Sequence, residues 1–212
     1  MMKIAFIGVG NVGAPLANRL QKLGHQVTIA ARDPQSQTVL SALALNPALL
    51  IQTPLAAIET ADAIFLATPF AAIESALTPL KLALNGKVLV DCTNTVGANL
   101  SHGLQSKISG SETIQQLVLD ARVVKAFTIY GYENFEDNHY PGYGDLKPAM
   151  LIAGNDPVAK ATISDLCQQL GWEPIDTGNL AMSLHLEHMA LLWIKMAGAQ
   201  RNGGFVWARL QR

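Results

Sequence analysis

The chain has 212 residues, of which 50% are hydrophobic and 15% charged, and its formal net charge at neutral pH is -1. That composition supports a sizeable buried core and excludes a disordered chain, and near-neutrality removes the electrostatic case for nucleic acid or an anionic membrane as partner. No apolar run reaches the length of a membrane span, and Cys92 and Cys167 have neither metal nor redox spacing, so the expectation is a cytoplasmic protein with two reduced thiols and no metal.

The chain opens with Ile4 to Ile7, a short apolar run of the kind buried on both faces of a parallel sheet. Gly8, Gly10 and Gly13 follow as G-x-G-x-x-G, and Val12, Leu16, Leu20 and Leu23 then recur at helical spacing up to Gly24. Val27 to Ile29 starts a second strand, so strand, glycine turn, helix and strand stand in the order that a dinucleotide site requires. The three glycines serve different ends. Gly8 permits the tight turn, Gly10 admits a pyrophosphate to the backbone, and Gly13 lets the helix pack close to the strand. This pattern accounts for the N-terminal stretch better than a signal peptide does.

The second strand ends Ala30-Ala31-Arg32. An NAD site usually has an acidic residue here, and that position falls on Ala31. Arg32, next to it, has the fork suited to a 2′-phosphate, so NADP is expected over NAD. The alternative is that Arg32 is a solvated charge and Asp33 takes the acidic role.

A helix is expected from about Ser36 to Ala44, a short strand over Leu49 to Gln52, and a buried strand over Ala63 to Ala67 that runs into Thr68-Pro69-Phe70. Thr68 and Pro69 thus stand at a strand's carboxyl end, where open α/β sheets bind ligands. A helix over Ala71 to Leu84, disturbed near Pro79, leads to a strand over Lys87 to Asp91 and then to Cys92-Thr93-Asn94, again at a carboxyl end. Asn94 can both donate and accept hydrogen bonds to a carboxamide or a ring, whereas Cys92 reads as a small buried hydrophobe. A helix from Ser111, without a capping-box acid, and a strand over Arg122 to Thr128 come next.

Residues Ile129 to Lys147 hold all four tyrosines, Tyr130, Tyr132, Tyr140 and Tyr143, in a long connection of the kind that is usually functional. They read either as a wall stacking on a flat substrate or as a packed surface loop. A strand over Ala149 to Ala153, a helix capped by Asn155-Asp156-Pro157 and a strand over Trp172 to Asp176 precede a last helix over Leu180 to Ala199. That helix is apolar nearly all round toward its end, which predicts burial in its own core or in a homodimer. His185, Glu187 and His188 on it are too few for a metal site. The whole is read as one domain, residues 1–212, of α/β class: a Rossmann-type doubly wound, mostly parallel sheet with a C-terminal helical extension from about residue 178.

With these pieces placed, the chain resembles the NADP oxidoreductases of the coenzyme F420-dependent family, whose dinucleotide domain is akin to that of the STEAP metalloreductases. The resemblance rests on Gly8 to Gly13, Gly24-His25, Ala31-Arg32-Asp33-Pro34, Ala67-Thr68-Pro69, Asp91-Cys92-Thr93-Asn94 and Val124-Lys125-Ala126-Phe127. It implies that Gly8, Val9, Gly10, Asn11 and Val12 hold the pyrophosphate, that Arg32 beside Ala31 binds the 2′-phosphate, and that Thr68, Pro69, Asn94 and Ala126 face the cofactor. The family often has Ser where this chain has Ala31, and Asn where it has Thr128. The implied activity is hydride transfer between NADP(H) and a flat ring, F420 or a flavin, which needs positioning more than a dedicated acid or base. Two other readings stand beside it. One is an imine or carbonyl reductase with Lys125 or Tyr130 as proton donor, and the other is an NADPH sensor without catalysis.

Overall fold

The apolar runs of the sequence become one eight-stranded sheet. A computed structural model describes residues Met1–Arg212. The strands are β1 (Lys3–Ile7), β2 (Gln26–Ala30), β3 (Leu50–Gln52), β4 (Ala63–Leu66), β5 (Val88–Asp91), β6 (Arg122–Lys125), β7 (Ala149–Gly154) and β8 (Glu173–Asp176). Their spatial order is β3-β2-β1-β4-β5-β6-β7-β8, and every neighbouring pair is parallel except β6 with β7. The strand order reverses between β1 and β4, and a crevice outside the carboxyl ends at such a point is where open α/β sheets take ligands.

The helices are α1 (Gly13–Lys22), α2 (Gln37–Leu45), α3 (Pro54–Thr60), α4 (Ile73–Leu77), α5 (Gly110–Leu117), α6 (Glu133–Glu136), α7 (Pro157–Gln169) and α8 (Ser183–Gln200). On one face of the sheet Phe6, Phe65 and Val124 pack against Leu16 and Leu20 of α1, Ile163 and Leu166 of α7, and Leu186 and Trp193 of α8. On the other face Ile64, Leu66 and Leu89 meet Ile58 of α3, Leu77 of α4 and Ile114 of α5. Buried on both faces, the central strands have no polar side to offer water, which is why their sequences are nearly continuous apolar runs. No helix is long and apolar enough to cross a membrane.

Several boundaries differ from the sequence reading, each for a physical reason. α3, not expected from the sequence, starts at Pro54, because proline's missing N–H costs nothing in a helix's first turn. The helix expected over Ala71 to Leu84 shrinks to α4, flanked by single 3₁₀ turns at Phe70–Ala72 and Thr78–Leu80, the second containing Pro79. α5 does have a capping box, set two residues earlier: Ser109 Oγ accepts from the Glu112 N–H, and the Glu112 side chain accepts from the Ser109 N–H. Leu23 is 47% exposed and is not part of the α1 core face. β6 stops at Lys125, not Thr128, because Phe127 has a left-handed backbone, φ 57°.

α8 is also less uniform than its composition suggests. Leu186, Ala190, Leu191 and Trp193 are buried in the chain's own core, while His185, His188, Leu192 and Lys195 face outward. The helix therefore does have a polar side, and the premise for burying it in a partner is corrected. Beyond it the tail returns to the sheet: the Ala149 N–H donates to the Trp207 carbonyl at 2.8 Å, and Trp193 Nε1 donates to the Phe205 carbonyl at 3.0 Å.

Candidate active site

The glycine turn joins β1 to α1 at the switch point. Gly8 has φ +96°, and a Cβ there would stand 2.7 Å from the Ala67 carbonyl oxygen; one on Gly13 would stand 2.2 Å from the Gly8 oxygen. Both positions exclude a side chain. A Cβ on Gly10 would meet nothing within 4 Å, so the space over that backbone is open to an approaching group. Val12, at the head of α1, offers no side-chain cap, which leaves first-turn N–H groups for an anion. Val9 lines the cleft on both sides of the turn, and Asn11 is exposed at its tip.

Along β2 the cleft is lined by Ala30, Ala31, Arg32, Asp33 and Ser36. Arg32 is exposed and belongs to none of the ion pairs of the chain. The Asp33 carboxylate accepts from the Gln35 N–H at 2.9 Å and so is tied into the local turn. Ser36 caps α2 without any side-chain capping bond, so its hydroxyl stays free in the cleft. It can supply the hydroxyl that Ala31 lacks.

The other end of the cleft is built from the ends of β4, β5 and β6. Three buried polar atoms there have no partner: Thr68 Oγ1, Asn94 Oδ1 and Thr128 Oγ1. The Asn94 amide is oriented by its other half, since Nδ2 donates to the Thr128 carbonyl at 2.7 Å. Buried polar groups are rarely left unpaired, and three in adjacent strand ends mark a place prepared for a polar ligand. Pro69 is exposed beside them. Ala126 is not part of this end: it is fully buried in the core, and its N–H donates to the Asp91 carbonyl. Thr128, two residues on, carries one of the unpaired atoms instead. Open backbone at Gly10, an uncapped helix start, a free arginine and unpaired polar atoms at the far end together fit a dinucleotide.

Lys125 points elsewhere. Its side chain is fully buried, and Nζ donates to Asp91 Oδ2 at 3.0 Å, the Thr93 carbonyl at 2.7 Å and Glu187 Oε1 at 2.9 Å. Those bonds use all of an ammonium's donors. Burial alone would lower its pKa, but the Asp91 and Glu187 carboxylates outweigh that and hold it above the ordinary lysine value. Lys125 is thus not available as a proton donor. It is the centre of a buried cluster that Glu187 extends to the Gly110 N–H, Thr95 Oγ1 and His102 Nε2. The sequence reading names Glu187 only beside His185 and His188, without its pairing to Lys125, and does not single out His102. Asp91 also takes the Thr93 N–H, Thr93 Oγ1 and Ser111 Oγ, so the residues on both sides of Asn94 are pinned. Burial and the neighbouring Asp91 push the Cys92 thiol well above its usual pKa, which makes it an inert small hydrophobe.

The four tyrosines part company. Tyr132 alone borders the glycine turn, beside Gly10, Asn11 and Ala14. Tyr130 is buried and stacked on Trp172 at 5.3 Å, with its hydroxyl donating to the Ala149 carbonyl at 2.7 Å. Burial raises its pKa strongly. Tyr140, whose pKa burial pushes up to about 12, and Tyr143 line a separate cleft against the tail residues Phe205 and Val206. The four tyrosines therefore form no common wall for a flat substrate, and only Tyr132 borders the cleft.

Residues 3–95 match the model of the family "NADP oxidoreductase coenzyme F420-dependent". A solved protein of Arthrobacter sp. FB24, provisionally assigned as an F420-dependent NADP-reductase, is 29% identical with a TM-score of 0.88, covering 100% of both chains. Metalloreductase STEAP3 of Rattus norvegicus is 30% identical over 189 residues, which is 89% of this chain and 36% of that one, so the chain spans about a third of that relative's length. An imine reductase of Streptomyces aurantiacus, 13% identical with a TM-score of 0.63 over 93% of this chain and 63% of its own, is alike in fold alone. The resemblance to the NADP oxidoreductase, coenzyme F420-dependent family is shown over residues 3–95.

Proposed function

We propose that the chain moves a hydride between NADP(H) and a flat ring acceptor, a deazaflavin of the F420 type or a flavin. When bound, NADPH supplies the hydride from its nicotinamide ring. The chain's own part is to hold and orient. Gly8 to Val12 and the α1 terminus take the pyrophosphate. Arg32 and Ser36 take the 2′-phosphate, and Thr68, Asn94 and Thr128 take the polar edge of the ring end. Asn94 Oδ1 can only accept, so it suits the N–H of a carboxamide.

One observation carries the ring acceptor over an imine or carbonyl: both candidate proton donors are spent elsewhere. Lys125 gives its donors to Asp91, Thr93 and Glu187, and the Tyr130 hydroxyl is committed to Ala149 in the core. A small carbonyl needs a proton placed on its oxygen in the transition state, whereas transfer between stacked rings depends on alignment. NADPH oxidation would be followed with a deazaflavin, FMN, FAD, ferric complexes, simple carbonyls and cyclic imines as acceptors. Turnover with a ring acceptor and none with carbonyls or imines is expected. Turnover with carbonyls alone overturns the proposal, and binding without turnover on any acceptor favours a sensor.

A further inference from the structure

Phe127 adopts a backbone conformation that a bulky side chain rarely accepts. Its φ is 57°, and it follows directly on the end of β6 and Ala126. The residue is fully buried, its ring 5.8 Å from Phe65 and edge-on to Phe135 at 6.1 Å. Its N–H, lost to the sheet, is left with the Met150 sulfur at 3.2 Å, a weak acceptor. Strained backbone of this sort persists only where the surroundings enforce it, and it concentrates at functional sites.

The turn at Phe127 takes the chain out of the strand, and the next carbonyl, that of Thr128, meets Asn94 Nδ2 at 2.7 Å. This bond clasps the end of β5 to the end of β6. On it stand two unpaired buried atoms, Asn94 Oδ1 and Thr128 Oγ1, with Thr68 Oγ1 unpaired at the end of β4. An extended Phe127 would instead continue β6 and take the Thr128 carbonyl away from Asn94.

We infer that Phe127 is a positioning residue: its left-handed backbone sets the Asn94–Thr128 clasp that receives the ring end of NADP(H). This rests on the cofactor reading above. It assigns the effect to the backbone of Phe127 and not to its ring, and substitutions can separate the two. Glycine holds φ near +57° without strain but loses the ring, whereas valine keeps apolar bulk and, being β-branched, resists that φ.

The experiment measures dissociation constants by calorimetry for NADPH and for 2′,5′-ADP, which lacks the nicotinamide half, on the wild type, Phe127→Val and Phe127→Gly. The ratio of the two constants reports the nicotinamide half, and a loss of core packing that affects both ligands alike does not move it. Phe127→Val is expected to weaken NADPH by about fivefold, the worth of one ordinary hydrogen bond, with 2′,5′-ADP unchanged. Phe127→Gly is expected to melt lower and keep the wild-type ratio. A folded valine variant with the wild-type ratio, or a folded glycine variant that has lost it, overturns the inference. If the valine variant does not fold, the glycine variant decides. A wild type that binds 2′,5′-ADP but gains nothing from the nicotinamide half overturns the cofactor reading itself, a separate outcome.

Discussion

Arg32 and Lys125 show how the same kind of charge takes opposite roles according to its surroundings. Arg32 stands exposed and unpaired at the rim of the cleft, so its fork is available to a phosphate. A charged hydrogen bond contributes about 1.5–3 kcal/mol. Arg32→Ala should therefore weaken NADPH by roughly tenfold or more in a fluorescence titration and leave NADH nearly unchanged; equal losses would remove the 2′-phosphate assignment. Lys125 is the reverse case, an ammonium wholly enclosed between two carboxylates. Lys125→Met leaves Asp91 and Glu187 buried without their counter-charge, and breaking such a pair costs about 3–5 kcal/mol. Urea unfolding at neutral pH would register that loss. The folded-state pKa of Lys125 is raised, so its contribution is fully present below the ordinary lysine value of about 10.4 and is lost as pH climbs through the higher folded value. The wild type should lose stability along that alkaline limb and Lys125→Met should not.

At the scale of elements, the glycine turn separates binding from folding. Nothing within 4 Å would meet a Cβ on Gly10, while one on Gly13 would collide with the Gly8 carbonyl. Gly10→Ala should keep the wild-type melting temperature and lose NADPH affinity, whereas Gly13→Ala should lower both. Loss of stability in Gly10→Ala would show that the open space is part of the fold and not of the site. These elements were legible in the sequence because buried parallel strands are apolar without alternation, and because the three glycines stand between a strand and a helix. Less legible was what proximity decides. α3, seven residues long, is too short for periodicity to announce it. Arg122 to Thr128 reads as one strand, since nothing in a phenylalanine announces a left-handed backbone. Glu187 meets Lys125 across 62 residues and Thr95 across 92, distances at which periodicity says nothing. The cofactor half of the site is therefore local and readable, and the cluster beside it is not.

The whole molecule places every designated binding group on one edge of the sheet, at the carboxyl ends of β1, β2, β4, β5 and β6, with α8 fixed to that edge through Glu187. The rigid pinning of Thr93, Asn94 and Thr95 supports the proposed alignment of two rings. A homodimer stays a proposal, resting now on the exposed Leu192 of α8 with the half-buried Met189 and Met196; light scattering that finds only 22.7 kDa would remove it. The central claim, hydride transfer from NADPH to a ring, is met most directly by single-turnover mixing with NADPH deuterated at both C4 positions and a deazaflavin or flavin, under exclusion of oxygen. The account predicts that nicotinamide oxidation and ring reduction proceed at one common rate, that deuterium slows both, and that Lys125→Met, if folded, retains the isotope effect. Ring acceptors that stay oxidised while NADPH is consumed on a small carbonyl, with that turnover abolished in folded Lys125→Met, would contradict it.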